Sequence, residues 1–190
     1  MNPFEKTLKK YLDIFAGQEM YFVNDVKNLE LFKSTPGNTI ADDVRTKVSA
    51  LNDSDIRKAD LEEVMINHIV QLNIDGRLMQ NDVTVVEDIA HITRQEKQYH
   101  LLHFASVYCN FHKPDVFPIY SDQYHDFYKR YIAEYKLQLD PLKLNSYDVF
   151  SKALNDLVKR LELTGKMNYL QLRKFAWLYA ENVVRESKES

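Results

Sequence analysis

The chain has 190 residues, 25 of them basic and 28 acidic, so its net charge is -3 at pH 7 and its sequence pI is about 6.1. This balance excludes a uniformly basic domain that coats nucleic acid, for which a pI above about 9 is usual, but it leaves room for a local basic face. The single cysteine, Cys109, excludes an intrachain disulfide framework and is typical of a reducing compartment.

The N-terminal segment predicts no targeting signal. Residues 1–15 contain two acidic side chains and no long apolar run, unlike a secretory signal. No stretch of the chain approaches the roughly 18 consecutive apolar residues of a membrane span. We therefore expect a cytoplasmic protein without a membrane partner.

Apolar residues recur with the period of a helix along almost the whole chain. The two clearest stripes are Leu61, Val64, Met65, Ile69 and Leu72, and Leu172, Phe175, Ala176, Tyr179 and Val183. Glycine (4) and proline (5) are scarce, and no segment shows sustained alternation with period two. We predict an all-α protein, a compact multi-helix bundle that forms a single domain over residues 1–190.

Helix breaks are expected where a glycine, a proline or a short polar residue interrupts the pattern. They fall at residues 35–38, 75–76, 81–82, 113–118, 140–141 and 164–165. These breaks divide the chain into seven to nine helices. The break at Pro36-Gly37 further predicts an N-terminal helical lobe over residues 1–38.

A central helix is predicted over residues 99–112. At about 100° per residue, its apolar side chains cover one broad face. The opposite face collects His100, His103, Ser106, Val107 and Asn110. Val107 is the one apolar residue on that polar face, and two interpretations stay open. It is either a single half-covered valine, which is common, or a sign that the face lines a pocket.

The histidines of this region invite a metal hypothesis, because His100 and His103, and likewise Cys109 and His112, have ligand-like spacings. The same angular count places the two pairs on opposite sides of one straight helix. A pair also falls short of the three or four protein ligands that a zinc site requires. The sequence therefore predicts no metal and no other cofactor.

The next helix is expected to begin after a loop stiffened by Pro114 and Pro118. Ser121 or Asp122 is a suitable N-cap for a helix over residues 123–135. A carboxylate at a helix N-terminus is held in its ionised form and can offset positive charge on a substrate. The aromatic stripe of this helix is typical of a core face, and the alternative is that it stacks bases beside Lys129 and Arg130.

The stretch FASVYCNFHKPDVFPIY, residues 104–120, resembles a compact bacterial branch of the helix-hairpin-helix DNA glycosylase superfamily, the 8-oxoguanine DNA glycosylase-like proteins. The segments HIVQLNIDGRLMQND, VTVVEDIAHIT and LRKFAWLYA are also similar to the pattern of that branch. The resemblance covers residues 60–183 and implies a glycosylase-like core there. The glycine-rich hairpin of the larger superfamily is not evident, since Gly76 and Gly165 stand alone.

The resemblance implies a base-excision reaction, and the residues at two positions imply that its lysine-dependent step is lost. Enzymes of this kind attack the sugar carbon of a flipped, damaged nucleotide with a lysine, and an aspartate stabilises the developing charge. Val107 occupies the lysine position, and Ser121 occupies the aspartate position with Asp122 one residue later. Lysine-dependent lyase activity is therefore not expected. If the chain is active, it is a monofunctional DNA N-glycosylase in which Asp122 directs water and His103 assists as acid or base.

Three functions follow as hypotheses. The first is a catalytically degenerate, glycosylase-like protein that binds DNA or a modified base through a basic rim of Lys129, Arg130, Arg173 and Lys174. The second is a non-enzymatic helical interaction module, in which neighbours bury Val107. The third is a small-molecule site built from His100, His103, Asn110 and Asp122.

Overall fold

The computed structural model describes residues 3–121 and 145–188. Within these ranges it contains ten helices and one two-stranded antiparallel sheet, so the predicted all-α class is confirmed. The helices are α1 (Pro3–Phe15), α2 (Val23–Ser34), α3 (Ala41–Leu51), α4 (Ser54–Lys58), α5 (Glu62–Leu72), α6 (Asp75–Met79), α7 (Val85–Ala90), α8 (Leu102–His112), α9 (Tyr147–Arg160) and α10 (Tyr169–Lys188). Strands β1 (His91–Arg94) and β2 (Lys97–His100) lie between α7 and α8.

The chain divides into two compact units. The central unit is Val23–Tyr120, and the terminal unit combines Met1–Phe22 with Ser121–Ser190. Helix α2, which the sequence assigns to an N-terminal lobe, belongs to the central unit. The predicted arrangement of a single domain with a lobe over residues 1–38 stays a prediction.

The core of the central unit forms around α5, which packs against α3 and α7, while α7 packs against α8. Three members of the predicted stripe, Leu61, Met65 and Ile69, are fully buried, as the helical period requires. Helices α3 and α5 both end at an asparagine in the left-handed conformation, Asn52 and Asn73. Asparagine tolerates this conformation better than most residues, so both helices end where the sequence allows the chain to turn.

The hairpin of β1 and β2 corrects the predicted central helix. Residues 99 and 100 belong to β2, and α8 begins only at Leu102. His100 therefore does not share a helical face with His103, and the angular argument that grouped them was wrong. The turn between the strands has Gln95 at φ 49° and Glu96 at φ 65°. Such a turn usually carries Asn-Gly, so the sequence has no hairpin signal at this point.

The terminal unit is built on aromatic contacts between α1 and α10. Tyr11 meets Tyr179 edge to face with ring centroids 5.1 Å apart, and Phe15 meets Phe175 at 6.3 Å. The predicted C-terminal stripe is buried at Leu172, Phe175 and Ala176. The helix predicted over residues 123–135 lies outside the described residues. No helix within the described ranges is long and apolar enough to cross a membrane.

Candidate functional site

The polar side chains of α8 hold the proline-bounded loop that follows this helix. The hydroxyl of Ser106 accepts a hydrogen bond from the backbone amide of Tyr120 at 2.9 Å. The side-chain amide of Asn110 donates to the carbonyl of Phe117 at 2.7 Å. His103 Nδ1 donates to the carbonyl of Tyr120 at 2.8 Å. Three side chains of one helix face thus fix the backbone of residues 117–120.

Val107, at the position where the resemblance implies a lysine, is buried between these polar neighbours. Its side chain is 8% exposed, and Ser106 and Asn110 are 0% exposed. Helix α8 contains no lysine. Asn110 Oδ1 is buried without a hydrogen-bond partner among the described residues, although an unpaired buried acceptor costs about 1–3 kcal/mol. The polar face predicted for α8 therefore exists, but most of its polar groups bind the loop.

The other predicted catalytic residues lie only partly within the described ranges. His103 is exposed and bonded to the loop, and Ser121 is half-buried at the end of the described segment. Asp122, Lys129 and Arg130 lie outside the described residues, so their roles stay predictions.

The described members of the predicted small-molecule site each have a different hydrogen-bond partner. His100 bonds Glu87, whereas His103 and Asn110 bond the loop.

Arg173 and Lys174, predicted to contact DNA, also make structural contacts within the terminal unit. Lys174 Nζ donates to the carbonyl of Glu19 at 2.5 Å and to the carbonyl of Tyr21. The Arg173 guanidinium lies 5.0 Å from the centroid of the Phe22 ring, within cation–π range. These contacts fasten residues 19–22 to α10. Phosphate binding by the two cations stays a prediction.

A buried polar network centred on Asn38 was missed by the sequence argument. Asn38 Oδ1 accepts hydrogen bonds from Lys47 Nζ at 2.6 Å, from Tyr108 Oη at 2.5 Å and from His112 Nε2 at 3.2 Å. Its backbone and side-chain amides donate to the two carboxylate oxygens of Asp75 at 3.2 and 2.7 Å. One side chain thereby joins the loop after α2 to helices α3, α6 and α8.

Lys47 is the unusual member of the network because its side chain is fully buried. Its ammonium also donates to the carbonyl of Gly37 at 2.6 Å and lies over the rings of Phe32 and Tyr108 at 5.7 and 5.6 Å. Burial lowers the pKa of Lys47 to about 8, against the attraction of Asp75 and Asp43, which favours the charged form. The amine is therefore mostly protonated at neutral pH.

Other titratable groups on α8 are held in their neutral forms. Burial, reinforced by repulsion from Lys47, lowers the pKa of His112 to about 3. Burial likewise raises the pKa of the Tyr108 phenol and of the Cys109 thiol. A buried thiol with a raised pKa is a poor nucleophile.

The sequence did contain a signal for the Asn38 network, since Lys47 lies within the apolar face of α3 between Val44 and Val48.

Comparison with known families bears on this central unit. The family model HI_0787_N, described as an N-terminal domain, matches residues 7–116. This chain belongs to the HI_0787_N family. The matched range contains every residue of the Asn38 network and the first half of the loop that follows α8. The HI_0787_N match thus covers the Asn38 network, whereas residues 117–120, which the α8 side chains hold, follow the matched range.

One relative of this HI_0787_N protein is an "uncharacterized protein" of Haemophilus influenzae. The two are 27% identical over 128 residues, which is 64% of this chain and 58% of the relative. The chain therefore spans less than two thirds of that relative's length. No solved structure matches the chain.

Removal of Asn38 should cost more stability than removal of the Tyr108 hydroxyl that donates to it. Asn38→Leu leaves the Lys47 ammonium without this acceptor inside the core, and we expect a loss of about 3–5 kcal/mol in the free energy of unfolding. Tyr108→Phe keeps the packed ring and removes one hydroxyl donor, so we expect a loss of about 1–2 kcal/mol. Denaturant unfolding measures both. Equal losses would contradict a network centred on Asn38.

The neutral state of His112 predicts an acid-sensitive fold. The unfolded chain takes up a proton on His112 near pH 6.5, whereas the folded chain does so only near pH 3. Between these values the unfolded state binds more protons, so the free energy of unfolding falls as pH falls, by at most about 1.4 kcal/mol per pH unit from this group.

His112→Gln replaces the Nε2 donor by a side-chain amide donor of similar reach and removes the titrating ring. Its free energy of unfolding, measured in denaturant between pH 3 and 7, should therefore fall less steeply on acidification than that of the wild type. Parallel pH profiles for the two proteins would show that His112 is not held neutral.

Proposed function

We propose that this HI_0787_N protein binds DNA on a glycosylase-like helical frame that has lost lysine-dependent lyase chemistry. The resemblance of residues 104–120 supplies the glycosylase-like part of this proposal. The observation that carries the loss is Val107, which is 8% exposed on a helix whose loop is held by three side-chain hydrogen bonds. The hydrogen bonds hold α8 and its loop together, but α8 carries no lysine amine.

Neither Cys109 on α8 nor Lys47 on α3 supports a replacement for that lysine. A Schiff base with an opened sugar requires an accessible, neutral amine. Cys109 is fully buried, and burial raises the pKa of its thiol. Lys47 is fully buried as well, and its ammonium is bonded to Gly37 and Asn38. Covalent catalysis from the core of the central unit is therefore not part of the proposal.

Monofunctional base excision remains the form of activity that the proposal allows. His103 is exposed and donates from Nδ1 to a carbonyl, so in its neutral form the ring keeps a lone pair on Nε2 that can accept a proton. Asp122 is the proposed carboxylate that directs water. The lyase step is excluded from the proposal, because no amine stands at position 107.

A second candidate is a non-enzymatic helical interaction module. The burial of Val107, Ser106 and Asn110 favours it, since the loop covers this part of the polar face of α8 and leaves only His103 of that face exposed. The two candidates differ in what they bind. DNA binding with strong salt dependence belongs to the first candidate, and binding to a protein without such dependence belongs to the second.

Salt-dependent DNA binding tests the proposal. We expect the wild-type chain to bind duplex DNA containing 8-oxoguanine, with an affinity that falls steeply between about 50 and 200 mM salt because counterions are released from phosphates. The double variant Lys129→Gln/Arg130→Gln should flatten the salt dependence by roughly 0.9 in logarithmic slope for each phosphate that the variant no longer neutralises. Fluorescence anisotropy measures both quantities.

Lys152→Gln is the matched control, because Lys152 is exposed, pairs with Asp148 on α9 and lies outside the proposed rim. This variant should bind DNA like the wild type. Absence of wild-type binding at low salt would exclude the first candidate and favour the interaction module. Strand cleavage with a borohydride-trapped protein–DNA adduct in the wild type would contradict the loss of lyase chemistry.

A further inference from the structure

A second cluster of chemically active side chains lies at the base of the hairpin, apart from the α8 loop. Glu87 is on α7, His91 begins β1 and His100 ends β2. One ligand atom from each of these three residues lies within 4.8 Å of the other two. We propose that Glu87, His91 and His100 form a binding site for a divalent transition-metal ion of the zinc type.

The local fold brings the three groups together without a long loop. Helix α7 ends at Ala90 and the chain passes directly into β1, so Glu87 stands one helical turn before His91. The strand register pairs His91 with His100, and directly paired residues on neighbouring strands share one face of the sheet. The two imidazole rings are stacked with centroids 4.2 Å apart and an interplanar angle of 23°.

The distances suit a small tetrahedral ion. His100 Nε2 lies 2.9 Å from Glu87 Oε2, and each of the three residues offers one ligand atom within 4.8 Å of the other two. Ligand atoms around a tetrahedral zinc ion are about 3.3 Å apart, given zinc–ligand bonds of about 2.0–2.2 Å. Rotation of the exposed His91 and His100 side chains can bring the ligand atoms to this spacing.

The donor set selects the class of metal. Two imidazoles and one carboxylate suit zinc and its neighbours, whereas magnesium and calcium prefer oxygen ligands. His91 Nδ1 also lies 2.8 Å from the backbone carbonyl of Glu87. A hydrogen bond of this kind fixes the tautomer of a metal-binding histidine and leaves a lone pair on its other ring nitrogen.

The site leaves room for an external ligand. The side chains of His91 and His100 are 63% and 41% exposed, and that of Glu87 is 29% exposed. Three protein ligands with a fourth position open to solvent are the arrangement of zinc sites that take water or a substrate, whereas structural zinc sites are closed by four. The ion would thus bind a water molecule or an oxygen donor from outside the chain.

The sequence missed this cluster for a physical reason. Its metal argument compared spacings within one helix, and it placed His100 on α8. Because His100 belongs to β2, its partner is nine residues away in the sequence and lies across a hairpin. The prediction that the chain holds no metal considered the pairs His100 with His103 and Cys109 with His112. It did not consider the three residues that the fold brings together.

Metal titration of the full-length chain, prepared without a histidine tag and treated with chelator, tests the site. We expect one equivalent of Co²⁺ to give the visible absorption of a tetrahedral complex and Zn²⁺ to displace it. Glu87→Gln, His91→Asn and His100→Asn should each weaken Co²⁺ binding about tenfold or more, since loss of even an outer partner costs 10–100-fold. His68→Asn is the control, because His68 bonds the carbonyl of Asp88 outside the cluster.

Thermal unfolding supplies a second readout. Zn²⁺ should raise the melting temperature of the wild type and of His68→Asn, because an ion that binds only the folded state stabilises it. It should have a smaller effect on the three cluster variants, because none of the three side chains belongs to the buried core. Absence of saturable one-to-one Co²⁺ binding in the wild type, or affinities in the cluster variants equal to that of the control, would overturn the site.

Discussion

The central unit depends on a lysine ammonium that is kept inside a helical core. Lys47 is fully buried, and a buried charge without partners would cost many kcal/mol. The carbonyl of Gly37 and the side-chain oxygen of Asn38 accept hydrogen bonds from the ammonium. The backbone and side-chain amides of Asn38 in turn donate to the carboxylate of Asp75, which connects the ammonium to a negative charge. An amide side chain suits this position, because it accepts on one atom and donates on the other.

This constraint also determines how α8 is held. Tyr108 and His112 bond to Asn38 on one side of the helix, whereas Ser106 and Asn110 bond to the following loop. Val107 lies on α8 between the residues that make these hydrogen bonds. Its position is therefore determined by structural contacts. Such a frame stays ordered whether or not its helix carries a nucleophile. The loss of a lysine from α8, as we propose it, is therefore compatible with an intact central unit.

The sequence predicted the features that follow from helical periodicity and local helix breaks. It missed the features that arise from contacts between residues distant in the sequence. The stripe of Leu61, Met65 and Ile69 and the stop at Lys113 follow from local patterns, and both were predicted. The hairpin was not, because its turn is Gln95-Glu96 in place of the usual Asn-Gly. The position of Lys47 within the apolar face of α3 was a signal, but its partners Asn38 and Asp75 come from other segments and no spacing rule connects them to it.

Titration of the Lys47 amine tests this constraint most directly. Its ε-carbon resonance can be followed by NMR as the pH is raised, and the signal is assigned by its absence from Lys47→Met. A midpoint near pH 8 is expected, because burial favours the neutral amine despite the attraction of Asp75. A midpoint near 10.4, the value of a lysine in water, would contradict a buried ammonium at the centre of the unit.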